Sequence, residues 1–373
     1  MKSHQESVND IATRVNGFFD AAFSSVTITG NNINGAIATE NPCMVVCTHR
    51  SQVDYFFAGI SLHNHGFREM RWAAGDNLTK LPFLGKIFNS LGAFTVVRDK
   101  GFERNYVKNL CKSVIDMMES RKTVVLFPEG GRSYSGAMLE IKSGVLGAAI
   151  LLQARNPAQD VFIYPMAVSY AMPPDSKWFE LLLRGKTLRK KGQPFVKRML
   201  GSLYYYGADL LAFFPFFFCR KFKRKYDDAY IDYGDAVSVR SIVNIEELRS
   251  KDSRDEFFSH RAAMQKVADY ITVRFKELYR VLPHHVVAAI CAEHQAITIH
   301  TAAEHTNKLI SLLREQNRNM KTLDTLLPEE ILRIGIEFLT RKKVIRTTKS
   351  VIVIRNSKLL DYFAAPVHDT TKK

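Results

Sequence analysis

Residues 43–54 read Cys43-Met44-Val45-Val46-Cys47-Thr48-His49-Arg50-Ser51-Gln52-Val53-Asp54. Five apolar residues in succession are the pattern of a strand buried on both faces. Polar residues then break the run, and a helical pattern follows from about Val53 to His63. The alternation continues outward from there. Glu69–Ala74, Ala93–Val97, Thr123–Phe127 and Val161–Val168 read as strands, and Phe102–Arg121 and Leu139–Gln153 as helices. Strands alternating with helices predict an α/β fold, a mixed sheet flanked by helices, with chemistry in the loops at the strand ends.

After Tyr170 the pattern lapses. Pro173-Pro174 opens a basic stretch, Met199–Cys219 is dense in Tyr and Phe, and strand character returns near Tyr230. Residues 171–229 therefore read as an insertion into an α/β domain spanning 1–244. From 245 to 373 the chain reads as a mainly helical domain. Helix candidates lie at 245–281, 284–297, 302–317 and 328–341, and a hairpin over Val344–Arg355 suggests a winged-helix-like end.

The chain has 373 residues, 46% apolar and 24% charged, the balance of a folded globular protein. Its mean hydropathy of −0.13 excludes a multi-span membrane protein. The net charge of +16 implies an anionic partner. Five scattered cysteines suggest a reducing compartment rather than a disulfide framework, and no Cys/His cluster suggests zinc. The polar, mixed-charge amino terminus lacks the pattern of a signal peptide. His284-His285, His294, His300 and His305 read as surface histidines on helices.

Three strand-end motifs carry chemistry. In the first, His49 precedes Asp54 by five positions. On one regular helix that spacing would separate the two by about 140°. A strand-turn-helix arrangement lets them meet, with Asp54 fixing one imidazole nitrogen and leaving the other basic. In the second, Phe127-Pro128-Glu129-Gly130-Gly131-Arg132-Ser133, two glycines allow close backbone approach to a ligand. Arg132 offers a planar fork for phosphate, Ser133 a hydroxyl, and Glu129 a carboxylate to position either. The third, Gly92–Arg98, ends a strand on an arginine.

Taken in chain order, His49…Asp54, then Gly92…Arg98, then Glu129…Ser133, then Val161–Val168, these motifs resemble the four blocks of the glycerolipid acyltransferase superfamily. Ala74–Leu78, Lys142–Leu146 and, at the chain end, Leu359–Ala365 are most similar to its glycerol-3-phosphate / dihydroxyacetone-phosphate acyltransferase branch. The resemblance implies transfer of a fatty acyl group from acyl-CoA or acyl-carrier protein to a hydroxyl of glycerol-3-phosphate. It implies His49 as base and Asp54 as its orienting partner. Arg98, Glu129, Gly130, Gly131, Arg132 and Ser133 would bind substrate. It implies no metal and no cofactor beyond the acyl donor. Asp99 and Tyr134 stand where that branch often has basic residues, and Phe127–Gly130 looks more like the lysophosphatidic-acid acyltransferase branch. The acceptor therefore stays open between glycerol-3-phosphate, dihydroxyacetone phosphate and lysophosphatidic acid or another lysophospholipid. The reading from another class is a non-catalytic membrane- or lipid-binding scaffold.

The charge has an address. Residues 184–225 hold twelve Lys and Arg against one acid, Asp209, a net +11 around the aromatic run. Asp209, Pro215, Gly201 and Gly207 argue against a spanning helix. An interfacial element suits the segment better, with rings in the acyl layer and cations on headgroups. This predicts an anionic membrane surface as partner, on its cytoplasmic face, and no nucleic acid.

Overall fold

The structure, a computed structural model, describes residues 22–30, 33–79, 89, 92–97, 103–222, 226–249, 260–294 and 296–368. For 77–78, 209–210, 212–222 and 249 it describes the backbone alone.

Two compact units emerge. The first comprises residues 1–132 and 140–275, the second 133–139 and 276–373. The first is built on an eight-stranded sheet. Its strands are β1 (Val26–Thr29), β2 (Cys43–Cys47), β3 (Arg71–Gly75), β4 (Ala93–Val96), β5 (Val124–Leu126), β6 (Phe162–Tyr170), β7 (Ala229–Tyr233) and β8 (Val237–Ser238). The order is β1-β7-β6-β2-β5-β3-β4, with β8 beside β6. All pairs are parallel except β6–β7 and β6–β8. The expected α/β architecture, a mixed sheet flanked by helices, is thus present.

Helices α1 (Ala36–Glu40), α2 (Asp54–Asn64), α3 (Asp76–Thr79), α4 (Arg104–Glu119) and α5 (Ser143–Arg155) connect the strands. β2 lies in the middle of the sheet, and all five of its residues are buried. This is why its sequence is continuously apolar rather than alternating. In α4 the buried residues Cys111, Val114, Ile115 and Met118 recur at three- and four-residue intervals, one stripe of a surface helix. The sequence reading passed over β1, a short edge strand with no buried residue in its pattern.

The insertion is a helical hairpin. Helix α6 (Phe179–Leu188) packs against α7 (Phe195–Phe222), which runs unbroken for 28 residues. Gly201 permits the close approach of the two helices, because a Cβ there would lie 2.4 Å from the Leu188 carbonyl carbon. No helix among the described residues is long and apolar enough to cross a membrane. Arg189 stacks on Tyr205 and Tyr206, 5.0 Å from each ring centre, so this cation is engaged within the hairpin.

After β8 come α8 (Val239–Ile242), α9 (Ile245–Arg249) and α10 (Arg261–Leu278). The sequence pattern places a boundary at 244/245, whereas the compact units part at 275/276. The reason is local: α9 packs on α5, and the His260 ring donates from Nε2 to the Leu248 carbonyl at 3.0 Å. This bond ties the start of α10 to the sheet unit.

The second unit contains α11 (Pro283–Ala292), β9 (Ala296–Thr298), α12 (Ile299–Glu315), α13 (Pro328–Arg341), β10 (Ile345–Thr348), β11 (Val351–Ile354) and α14 (Ser357–Ala364). The hairpin β10–β11 gains β9 as a third antiparallel strand. His284 and His285 are core residues here, not surface ones. His284 stacks on Phe338 at 4.0 Å, and both rings meet Phe363. Burial pushes His285 down to about 3, and its Nδ1 accepts from the Leu282 N–H at 3.2 Å. Tyr362 of α14, in the stretch Leu359–Ala365, packs on Gly136 of the loop 133–139.

Candidate active site

Sheet register brings the first two motifs together. Val46 of β2 pairs with Leu126 of β5 in parallel. Three residues further along each strand stand His49 and Glu129, and the His49 N–H donates to Glu129 Oε1 at 3.0 Å. Both motifs therefore leave the same edge of the sheet, at the carboxyl ends of adjacent strands.

The loop 48–53 turns His49 back over the start of α2. His49 Nδ1 and Asp54 Oδ2 are 2.9 Å apart, and both side chains are buried. The same Oδ2 accepts from the Arg50 N–H at 2.6 Å and the Ser51 N–H at 2.8 Å. Oδ1 accepts from the Tyr170 hydroxyl at 2.6 Å. Four donors on one buried carboxylate lock its orientation. Burial, then the Asp54 charge, pushes the Tyr170 hydroxyl well above the usual tyrosine value, so it remains a donor. The His49 ring lies 4.5 Å from Phe127 and 5.5 Å edge-on from Tyr55. With Nδ1 committed to Asp54, the imidazole is held in the tautomer that makes Nε2 basic.

Glu129 is fully buried, and both of its oxygens accept from Arg50 Nη1, at 2.9 and 2.8 Å. Gly130 follows with φ +67°, a left-handed turn that a side chain would strain. Arg132, 4% exposed, pairs with Asp175 at 2.7 Å. Asp175 also accepts from Ser51 Oγ at 2.7 Å and from the Gln52 N–H at 3.3 Å. Gly131 lies beside them in the same turn. Ser133 is buried and groups with the second unit, and its Oγ makes no hydrogen bond among the described residues. Arg98 lies outside the described residues.

Sequence reading missed three contributors: Tyr170, Asp175 and Arg50. Tyr170 was hidden because it reads as ordinary strand, 116 residues from Asp54. Asp175 sits in what looked like the mouth of a separate insertion. Arg50 stands next to His49, yet nothing local announces that a glutamate 79 residues away neutralises it.

A cavity of about 240 Å³ opens beside His49. Its walls are mostly apolar, with Val96, Leu110, Leu126, Phe127, Val145 and Leu146 prominent. Among the described residues no three His, Cys, Asp or Glu side chains come together in a way that could hold a metal ion.

The acyltransferase family model matches residues 26–169, the stretch that carries β1 through most of β6. Glycerol-3-phosphate acyltransferases of Actinobacillus pleuropneumoniae serotype 5b (strain L20) and serotype 3 (strain JL03) are each 22% identical to it over 266 residues. Each match covers 70% of this chain but only 30% of the relative's length. The 1-acyl-sn-glycerophosphate (LPA) acyltransferase PlsC from Thermotoga maritima, a solved structure, aligns at 15% identity with a TM-score of 0.35. That alignment covers 73% of this chain and 84% of the other. Four sequence blocks in order, an acyltransferase model over residues 26–169 and similarity to curated glycerol-3-phosphate acyltransferases support the glycerolipid acyltransferase superfamily as the one this chain resembles.

Proposed function

We propose that the chain transfers a fatty acyl group from an acyl thioester, acyl-CoA or acyl-carrier protein, to a hydroxyl of glycerol-3-phosphate in phospholipid synthesis. The observation that carries this is the His49–Asp54 pair at 2.9 Å beside an apolar cavity. In this reading His49 Nε2 takes the proton of the acceptor hydroxyl as its oxygen attacks the thioester carbonyl carbon. Asp54 stabilises the imidazolium that forms. The tetrahedral intermediate collapses with cleavage of the C–S bond, and the imidazolium returns its proton to the departing thiolate. An ester and a free thiol result, with no acyl-enzyme intermediate. The cavity's apolar wall suits the acyl chain.

Glu129, expected as a substrate ligand, takes a positioning role here: it neutralises Arg50 and holds the His49 backbone. The composition of the hairpin α6–α7 supports a seat on an anionic membrane, and the cytoplasmic face is part of the same proposal. Phe195, Val196 and Leu203 are 73%, 60% and 64% exposed, and Lys190, Lys191, Lys197 and Arg198 are exposed around them. Exposed apolar groups interleaved with cations are the composition of an interfacial element.

The test is a panel assay of purified protein. Glycerol-3-phosphate, dihydroxyacetone phosphate and lysophosphatidic acid are each offered with acyl-CoA and with acyl-carrier protein donors. Ester formation with glycerol-3-phosphate supports the reading. Turnover with lysophosphatidic acid alone moves the enzyme to the neighbouring branch. Vesicle binding with no turnover on any acceptor leaves a lipid-binding scaffold.

A further inference from the structure

Among the described residues, Lys142 is the one Lys or Arg lining the His49 cavity. Its backbone N–H donates to the Pro128 carbonyl at 2.9 Å, which fastens it to the turn that carries Glu129 and Gly130. Its ammonium lies over Gly130, where a Cβ would come within 2.7 Å of Nζ. Gly130 therefore provides the space the ammonium occupies. Among the described residues the Lys142 ammonium has no ion pair and no hydrogen bond, and Lys142 is an exposed residue that lines the cavity.

The arginines nearby are in a different state. Arg50 is neutralised by Glu129 and Arg132 by Asp175, both in buried pairs. A buried guanidinium that already has its carboxylate is costly to separate from it, so neither offers an uncompensated charge to a ligand. An apolar wall lowers the local dielectric and strengthens the attraction between a lone cation and an anion. A lysine is suited to phosphate, as a compact charge with three rotatable donors on a flexible stem.

We infer that Lys142 holds the phosphate of the acceptor, so that the acceptor's hydroxyl is presented to His49 in the same cavity. The inference rests on the acyl-transfer reading above and assigns the phosphate subsite to a residue other than Arg132. It also divides the cavity by chemistry: the charged side of the turn takes the phosphorylated acceptor, and the apolar remainder is left for the acyl chain. Phosphate is also present on the acyl-CoA donor, and the experiment separates the two sources.

The full-length protein is prepared as wild type, Lys142→Gln, Lys142→Met and Lys142→Arg. KM is measured separately for glycerol-3-phosphate and for acyl-CoA, and glycerol-3-phosphate binding without donor is measured by calorimetry. Lys142→Gln is expected to raise the glycerol-3-phosphate KM about 10- to 100-fold, the range of a lost charge-assisted hydrogen bond. The acyl-CoA KM should stay within about twofold, since that site keeps its contacts. Lys142→Arg should recover most of the loss. Lys142→Met keeps the stem over Gly130 and should behave like Lys142→Gln, which separates charge from packing. An unchanged glycerol-3-phosphate KM, or a rise confined to acyl-CoA, overturns the inference. If wild type turns over no phosphorylated acceptor, the reaction assignment fails. The calorimetry still decides on Lys142, because equal or absent glycerol-3-phosphate binding in wild type and Lys142→Gln overturns its role.

Discussion

His49 Nδ1 and Asp54 Oδ2 lie 2.9 Å apart across a strand-to-helix turn, and three further donors hold that carboxylate. The pair is buried and its geometry is fixed by the fold itself, which suits the proposed role of His49 as base. Replacing Asp54 by Asn keeps the shape but removes the charge and the tautomer control. Acyl transfer should fall by about a hundred- to ten-thousand-fold, with His49→Ala at least as low. Initial rates with radiolabelled acyl-CoA measure this, and near-normal turnover in either variant rules out the assignment.

The Arg50–Glu129 pair predicts a stability effect distinct from chemistry. Glu129→Gln leaves a buried guanidinium without its counter-charge, which costs about 3–5 kcal/mol. Urea unfolding should show the loss. Double replacement of Arg50 and Glu129 by apolar residues should recover part of it. If Glu129→Gln unfolds at the wild-type midpoint, the pair does not hold the loop.

Asp175 joins Arg132 to the loop 51–52. Asp175→Ala should lower activity by loosening the turn that presents His49. A double-mutant cycle with Arg132→Ala should give a coupling energy of roughly 0.5–3 kcal/mol, as for residues of one network. Strictly additive effects would show that the two do not act together.

His285 predicts acid sensitivity in the second unit. Its folded value is lowered to about 3 from 6.5 by burial. Its contribution to stability is therefore complete above pH 6.5 and is lost as the pH falls from 6.5 toward 3, because the unfolded chain binds the proton first. His285→Asn, which retains an acceptor for the Leu282 N–H, should flatten that limb of the stability–pH curve. Thermal melts between pH 4 and 8 read it directly, and parallel curves for the two proteins would refute it.

The hairpin α6–α7 predicts salt-dependent membrane binding. Neutralising Lys190, Lys191, Lys197 and Arg198 should cost about 1 kcal/mol per cation on anionic vesicles. Sedimentation with phosphatidylglycerol vesicles at low and high salt tests this. Equal binding by wild type and variant would exclude the hairpin as the docking element.

Much of this was legible in the chain. The apolar run Cys43–Cys47 declares a doubly buried strand, because only a residue with both neighbours covered can be apolar at every position. The spacing from His49 to Asp54 declares a turn between them. The site's wiring was less legible. Val46 and Leu126 are 80 residues apart, and only their pairing in the sheet brings His49 and Glu129 level. Gly201 is also the contact point of a hairpin, a role invisible without the partner helix.

The sequence by itself determined the sheet-and-helix alternation, the position of the catalytic-type motif at a strand end, and the concentration of positive charge in one segment. These are local or periodic properties, set by which side chains can face a core. Only the tertiary structure decided which charges are neutralised. Arg50 and Arg132 find Glu129 and Asp175 inside the protein, while Lys142, in the cavity beside His49, has no ion pair among the described residues. Charge pairing depends on separations of a few ångströms between residues far apart in the chain, and folding alone sets those distances.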